Sequence, residues 1–185
     1  PASADPVLPY RDPARPIEER ADDLLGRMTL EEKIGQMVAI WEHRGRIQAP
    51  NGGFSAQRAG RAFPHGLGMV SRPSDRRGQE NAPAANKGPR ETAEWVNAAQ
   101  RWAVERTRLG IPILFHEEAL HGYVARDSTS FPQSIALAST FDPQLVEREF
   151  NVASREMRAR GVHLALAPVV DVARDPRWGR IEETY

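Results

Sequence analysis

The chain has 185 residues, a length typical of about one domain with a hydrophobic core of its own. Its 25 basic and 25 acidic residues balance, so no strong field favours nucleic acid or an anionic membrane as a partner. The sequence contains no cysteine, which excludes disulfides, thiolate zinc sites and cysteine nucleophiles. No apolar run approaches the roughly 18 residues that a membrane span needs.

Residues 1–16 are dominated by Pro, Asp and Ala and are predicted to form an extended leader. This segment has neither the basic start nor the apolar stretch of a signal peptide, so such a peptide is expected to be absent or already removed. The domain is predicted to occupy residues 17–185.

Two helices are predicted at the start of this domain. The apolar face of the first consists of Ile17, Ala21, Leu24 and Met28. The second begins at a capping box formed by Thr29 and Glu32. Its apolar stripe consists of Leu30, Ile34, Met37 and Val38.

Three short apolar runs, 66–71, 111–115 and 163–168, are predicted to be strands. Helices are predicted between them, over 91–109 and from Asp142 to a stop at Gly161. The strands do not alternate apolar and polar residues, which indicates a parallel sheet of the α/β class that is buried on both faces. The polar segments that remain are predicted to be loops: 42–65 and 72–90.

Polar clusters follow the second and third of these strands. The first reads HEEALHG from His116, and the second reads DVARDPRWGRIEETY from Asp171. Ligands of α/β folds bind beyond the carboxyl ends of the strands, where the loops face a common opening. The arginines of the second cluster therefore predict an anionic or hydroxyl-rich ligand, or carboxylates, nearby.

A zinc site is the first alternative for HEEALH, and its spacing argues against it. Zinc motifs of the His-Glu-x-x-His type place both histidines on one helix face, four residues apart. His116 and His121 are five apart, which takes the second histidine off that face.

A pair of catalytic carboxylates is the second alternative, suggested by Glu117–Glu118 and Glu182–Glu183. A retaining glycosidase holds its two carboxyl groups roughly 5 Å apart across one bond, whereas adjacent residues of an extended chain point to opposite faces. Neither doublet is therefore expected to be the catalytic pair. A polyol-binding site remains, in which Glu118 accepts hydrogen bonds from vicinal hydroxyls and Arg180 donates to them.

Four stretches together resemble the N-terminal domain of glycoside hydrolase family 3, which contains β-glucosidases and β-xylosidases. They read RMTLEEKIGQM, EEALHG, FPQSIALAST and GVHLALAPVVDVARDPRWGRIEETY. The similarity extends from about Ile17 to Tyr185. It implies the N-terminal part of a (β/α)8 TIM-barrel-like domain, incomplete in this chain because a whole barrel takes about 250 residues.

The resemblance also implies roles for two residues. Glu118 matches the position that binds the hydroxyls of the terminal sugar, which is Asp in many β-glucosidases. Its longer side chain resembles the xylosidase-type members, where it would crowd the hydroxymethyl group that xylose lacks. Arg180 matches a second sugar-binding residue. The family's catalytic Asp and Glu, and a sugar-binding Lys-His pair, correspond to positions beyond Tyr185, so this chain is expected to supply sugar-binding residues but, taken alone, to hydrolyse nothing.

The resemblance therefore implies part of a retaining, exo-acting β-glycosidase for terminal xylose or glucose, without metal or cofactor. A periplasmic or secreted location is expected. Two alternatives stay open: a β-N-acetylhexosaminidase and a non-catalytic sugar-binding module. Arg174 and Arg177 are expected to pair with nearby aspartates, and Trp95 and Trp102 to pack within the domain.

Overall fold

Four parallel strands lie side by side in the order in which they occur along the chain. The computed structural model describes residues 8–76 and 86–185. The strands are β1 (Ala39–Ile40), β2 (Met69–Ser71), β3 (Leu114–Glu117) and β4 (Leu164–Ala165). In the register of the sheet, Ser71 lies beside His116 and His116 beside Leu164.

Helical segments connect each strand to the next. The α-helices of the described residues are α1 (Ile17–Arg27), α2 (Leu30–Gln36), α3 (Ala56–Ala62), α4 (Pro89–Arg106), α5 (Ser134–Ala138) and α6 (Pro143–Ala159). Short 3-10 turns cover Pro9–Arg11, Glu42–Ile47 and Ile181–Glu183. The predicted α/β class with a parallel sheet is confirmed. A strand order that never reverses is typical of one side of a barrel. None of the described helices has the length and apolarity needed to cross a bilayer.

The main core lies between the sheet and α4. Trp95 and Trp102 of that helix are each 4% exposed, and Phe115 of β3 is fully buried. Trp95 meets Phe115 edge-on with the ring centroids 6.2 Å apart, and Phe54 packs against Trp95 in the same way at 5.7 Å. The predicted packing role of the two tryptophans is confirmed.

The start of the domain differs from the prediction. The capping box exists, since the Glu32 amide donates to Thr29 Oγ1 and the Thr29 amide to Glu32 Oε2. However, α2 ends at Gln36, and the next residues lead into β1, a strand that the sequence analysis missed. The end of α2 packs closely against Gly68, where an added Cβ would lie 1.9 Å from the Gln36 carbonyl oxygen. Only glycine fits at this contact.

The two helices predicted at the start of the domain are present as α1 and α2, but their apolar faces are largely uncovered in the described residues. Ile17 is 75% exposed and Met37 is 86% exposed, and no residue of α1 is buried. The two helices are instead joined to the domain through polar contacts, in which Arg108 donates to Glu32 Oε1 and to the Arg27 carbonyl oxygen.

β3 begins three residues later than the apolar run that predicts it. The backbone of Ile113 is bound by the side chain of Gln100 on α4, which accepts from the Ile113 amide at 2.9 Å and donates to its carbonyl oxygen at 2.7 Å. These bonds take Ile113 out of the strand ladder. A side chain from a distant helix thus determines the start of β3.

Two predicted regions contain more structure than the sequence suggests. The loop predicted over 42–65 includes a 3-10 turn and α3, and α5 occupies part of FPQSIALAST. Only Ala59 of α3 is buried, so this helix lacks the apolar period that would have revealed it. Residues 77–85 of the loop predicted over 72–90 lie outside the described residues.

Only residues 8–16 of the predicted leader are described. Within them Tyr10 is buried and its hydroxyl donates to the Leu109 carbonyl oxygen at 2.7 Å. The division of the chain at residue 16 stays a prediction.

The short loop after β2 is held by three buried charged side chains. Arg44 donates to the Arg72 carbonyl oxygen at 2.6 Å and forms an ion pair with Asp75. Lys87 donates to the carbonyl oxygens of Pro73 at 3.1 Å and Asp75 at 2.5 Å.

The third of these side chains comes from β3. Glu117, 1% exposed, accepts from the Ser74 amide at 2.8 Å. Burying three ionisable groups is costly unless each is well hydrogen-bonded, and here the partners lie in the loop itself. The loop is therefore fixed from three sides.

The burial of Lys87 predicts an unusual titration. Burial, reinforced by the charges of Arg44 and Arg76, lowers the pKa of this amine to about 7. Because the unfolded chain binds the proton up to a pKa of about 10.5, the free energy of unfolding rises with pH between these values. We expect a rise of about 2 kcal/mol from about pH 7 to about pH 9 in urea unfolding, and no such rise in Lys87→Met.

The chain has only two lysines, which makes a direct measurement simple. With ¹³C-labelled lysine, the Lys87 signal should titrate near pH 7, and the exposed Lys33 provides an internal reference. A Lys87 signal that stays unchanged up to pH 9 in the folded chain would contradict the described burial.

Candidate functional site

The side chains of β3 alternate between two environments. Phe115 and Glu117 point towards the helices, where Phe115 joins the main core. Leu114 and His116 occupy the other face of the sheet, and Glu118 continues this alternation one residue beyond the strand. Glu117 and Glu118 therefore have different surroundings, as expected for adjacent residues.

Glu117 is a structural carboxylate. Beyond the Ser74 amide, it accepts from the Tyr123 hydroxyl at 3.2 Å. Burial raises the pKa of Glu117, while the bonds from Ser74 and Tyr123 oppose this shift. Its oxygens are directed at the protein and leave no opening to a ligand.

Glu118 instead lies at the surface of the carboxyl edge of the sheet, where it forms an ion pair with Arg72. The pair joins Glu118 Oε1 to a terminal nitrogen of the guanidinium, and no hydrogen bond to Oε2 occurs among the described residues. The side chains of Glu118 and Arg72 are 22% and 31% exposed, so both keep surface for a ligand.

Arg72 is held in a conformation that few residues other than glycine adopt, with a φ of 46°. Its amide donates to the His116 carbonyl oxygen at 2.8 Å, which extends the pairing of β2 with β3 by one residue. The guanidinium lies over the ring of Trp41, 4.3 Å from the centroid. Trp41 in turn donates its indole N–H to Asp75 at 2.9 Å. Both the backbone and the side chain of Arg72 are thereby oriented.

A second polar pair lies one layer deeper on the same face. Ser71 Oγ and His116 Nε2 are 2.6 Å apart, and both side chains are buried. Burial lowers the pKa of the His116 imidazole, although the charge of Glu118 opposes this shift. Within the described residues, Nδ1 of His116 is buried and has no hydrogen-bond partner.

Arg180 lies in the segment that follows β4. Its Nε donates to Glu183 Oε1 at 2.7 Å, and the side chain is 65% exposed. Hydrogen bonding to Glu183 raises the pKa of Arg180 most, and the charge of Glu118 adds to this rise. A parallel bridge between Val169 and Thr184 joins the end of the segment to its beginning.

No hydrogen bond or ion pair joins Glu118 to Arg180 within residues 8–76 and 86–185, and their roles towards a ligand stay predictions. Arg177 pairs with Asp175, with Nε 2.9 Å from Oδ1, as expected. The cavity of about 410 Å³ lined by Leu137, Phe141 and Tyr185 includes neither Glu118 nor Arg180.

Sequence reasoning missed Arg72 and Trp41. Arg72 directly follows the strand predicted over 66–71, in the same relation that Glu118 has to the next strand. The strand-end rule, applied to this strand too, would have selected it. Trp41 follows β1, which carries no detectable sequence signal because only two residues pair there.

No group of three or more His, Asp or Glu side chains in 8–76 or 86–185 is arranged to hold a metal ion.

Comparison with known proteins identifies a family. Residues 29–185 match the sequence profile described as "Glycosyl hydrolase family 3 N terminal domain". A putative β-xylosidase of Formosa agariphila is 36% identical over 177 residues, covering 95% of this chain and 22% of the relative. A probable β-glucosidase C of Aspergillus flavus is 34% identical over 184 residues, covering 95% of this chain and 28% of the relative. The chain thus spans about a quarter of the length of these relatives.

Solved structures agree with this result. A β-glucosidase from Erythrobacter marinus superimposes with a TM-score of 0.77 at 35% identity, over 96% of this chain and 22% of that one. This likeness confirms the predicted barrel-type fold. Among further relatives are a periplasmic β-glucosidase/β-xylosidase of Dickeya chrysanthemi and a β-glucosidase of Listeria innocua solved with laminaribiose. The chain belongs to glycosyl hydrolase family 3, and most of its residues, 29–185, match the N-terminal domain of that family.

Proposed function

We propose that this chain forms the amino-terminal part of the barrel of a retaining, exo-acting β-glycosidase that removes terminal β-linked xylose or glucose from oligosaccharides. The observation that carries the proposal is the position of Glu118. It follows a parallel strand at the carboxyl edge, is partly exposed and is next to one guanidinium and within the electrostatic influence of another.

These groups suit a sugar ring. A carboxylate accepts hydrogen bonds from two hydroxyls, and a guanidinium donates to hydroxyl oxygens in a fixed geometry. Glu118 and Arg180 would hold the hydroxyls of the terminal sugar, so that its anomeric carbon lies in line with a nucleophile. A sugar that lacks one of these hydroxyls would leave a charged group without its partner, which gives the site its selectivity.

The bond-breaking groups would come from outside this chain. Retaining hydrolysis needs a nucleophile that forms a glycosyl-enzyme and an acid that protonates the leaving oxygen; water then releases the sugar. Glu117 does not suit either role because its carboxylate is buried and bound to Ser74 and Tyr123. The relatives are about four times as long as the chain, which leaves ample sequence for both groups.

A periplasmic or secreted location follows as part of the proposal, supported by the periplasmic relative of Dickeya chrysanthemi. Neither nucleic acid nor a membrane is proposed as a partner, since the charges of the chain balance.

The test is hydrolysis by the full-length protein in which this chain occurs. We expect release of p-nitrophenol from the β-xyloside or the β-glucoside, with retained configuration in the sugar observed by NMR. The isolated 185-residue chain should release none. Much faster turnover of the β-N-acetylglucosaminide would favour a hexosaminidase, and sugar binding without any hydrolysis would favour a non-catalytic module. Either result would contradict the proposed activity.

The length of Glu118 gives a second test. In Glu118→Asp the carboxylate retreats by one methylene, which leaves space for the C6 hydroxymethyl group of glucose. The ratio of kcat/KM for the glucoside to that for the xyloside should rise about tenfold, the effect of one methylene in a fitted pocket.

Glu105→Asp is the matched control, because Glu105 is exposed on α4. An unchanged ratio in Glu118→Asp would remove the basis for preferring xylose, while the glycosidase proposal itself would stand.

A further inference from the structure

We propose that Arg72 is a positioning residue of this site, which holds the Glu118 carboxylate at the sugar and helps to set the preference between xylose and glucose. The inference rests on the proposed function, since it takes Glu118 as a sugar-binding residue. Arg72 lies outside the motifs that identify the family in this sequence.

The first support is the geometry of the ion pair. Arg72 engages Oε1 of Glu118, and among the described residues no partner engages Oε2. One oxygen is thus used to fix the carboxylate while the other stays available to a hydroxyl. A carboxylate held by a planar guanidinium has a defined direction, which a freely rotating Glu side chain lacks.

The second support is the way in which Arg72 itself is held. The central carbon of its guanidinium lies 4.3 Å from the centroid of the Trp41 ring, and a terminal nitrogen pairs with Glu118. Contact with the face of an indole stabilises a cation. The guanidinium is therefore held by Trp41 as well as by Glu118.

The third support is the backbone of Arg72, which has a φ of 46°. A non-glycine residue in this region is disfavoured and persists only where the surroundings impose it. Here the buried side chains of Arg44, Lys87 and Glu117 fix the loop that follows, between Arg72 and Asp75. This set of buried charges supports one exposed residue, and that residue contacts Glu118.

The fourth support is exposure. Arg72 and Glu118 are each about a quarter to a third exposed, unlike the buried pairs beneath them. A purely structural ion pair of this kind contributes little to stability because solvent screens it. The pair is accessible to a ligand, and the guanidinium has donors to spare for a hydroxyl of the same sugar.

The experiment uses the full-length protein with two substitutions of Arg72. Arg72→Met should raise KM for the preferred p-nitrophenyl glycoside and lower kcat/KM by roughly 100-fold, the effect of about 1 Å of misplacement in a site. It should also change the ratio of xyloside to glucoside activity. Arg72→Lys keeps the charge without the planar fork and should recover part of the loss. Arg148→Met, which alters an exposed and distant arginine on α6, is the matched control.

A double-mutant cycle separates positioning from a structural role. If Arg72 acts through Glu118, Arg72→Met should cost less than about threefold when Glu118 is already Gln, because the two effects are coupled. A merely destabilising change would lower the active fraction in both backgrounds, without changing KM or the substrate ratio. Near-UV circular dichroism identifies the variants that fold. If Arg72→Met does not fold, the same measurements are made on Arg72→Lys.

Failure of this inference is distinct from failure of the proposed function. An active wild type whose KM and substrate ratio are unchanged in a folded Arg72 variant overturns the inference and leaves the glycosidase intact. Should the wild type hydrolyse none of the substrates, calorimetric binding of xylose and gluconolactone replaces the kinetics. Weaker binding by Arg72→Lys would then support the inference, and equal binding, or no binding by the wild type, would overturn it.

Discussion

The parallel pairing of β2 with β3 is the constraint on which the candidate site depends. In a parallel sheet the residues that follow neighbouring strands emerge at the same edge, whatever their separation in sequence. Arg72 and Glu118 are 46 positions apart, yet the register that aligns Ser71 with His116 brings them into contact. The segment that contains Arg180 begins after the next strand, β4, at the same edge of the sheet. The register of the strands, more than any single sequence motif, brings the residues of the candidate site together.

Buried charged side chains fix the loop that follows β2. Removing one partner of a buried ion pair typically costs about 3 to 5 kcal/mol, because the other charge is left without compensation. The loop after β2 contains such a set, with Arg44, Lys87 and Glu117 each bonded to its backbone or side chains. An apolar interior would cover the loop at lower cost but would not fix its conformation. The buried charged side chains fix the loop next to Arg72. Arg72 is thereby held where it can pair with Glu118 at the surface.

Much of the domain could be predicted because its signals are local. Neighbouring residues alone indicate the capping box at Thr29, the helix start at Asp142 and the compact strands. The features that could not be predicted depend on distant contacts. Gln100 removes Ile113 from the sheet, and Gln36 meets Gly68, although neither residue suggests such a contact in the sequence. Trp41 was missed for the same reason, since it follows β1, a two-residue strand that is recognisable only by its pairing with β2.

Apolar side chains are uncovered on the first two helices and beyond the last strand. α1 and α2 expose apolar side chains, and Val170 beyond β4 is 84% exposed. Apolar side chains left in contact with water on this scale indicate surfaces that other parts of a protein cover. The curated relatives that match this chain are about four times as long as the chain itself.

The most direct measurement is a crystal structure of the full-length protein soaked with xylose or gluconolactone. We expect one ring whose hydroxyls lie within about 3 Å of both the Glu118 carboxylate and the Arg180 guanidinium, with Arg72 still paired to Glu118. A sugar bound in the barrel that contacts neither residue, or contacts only one while the other is directed elsewhere, would contradict it.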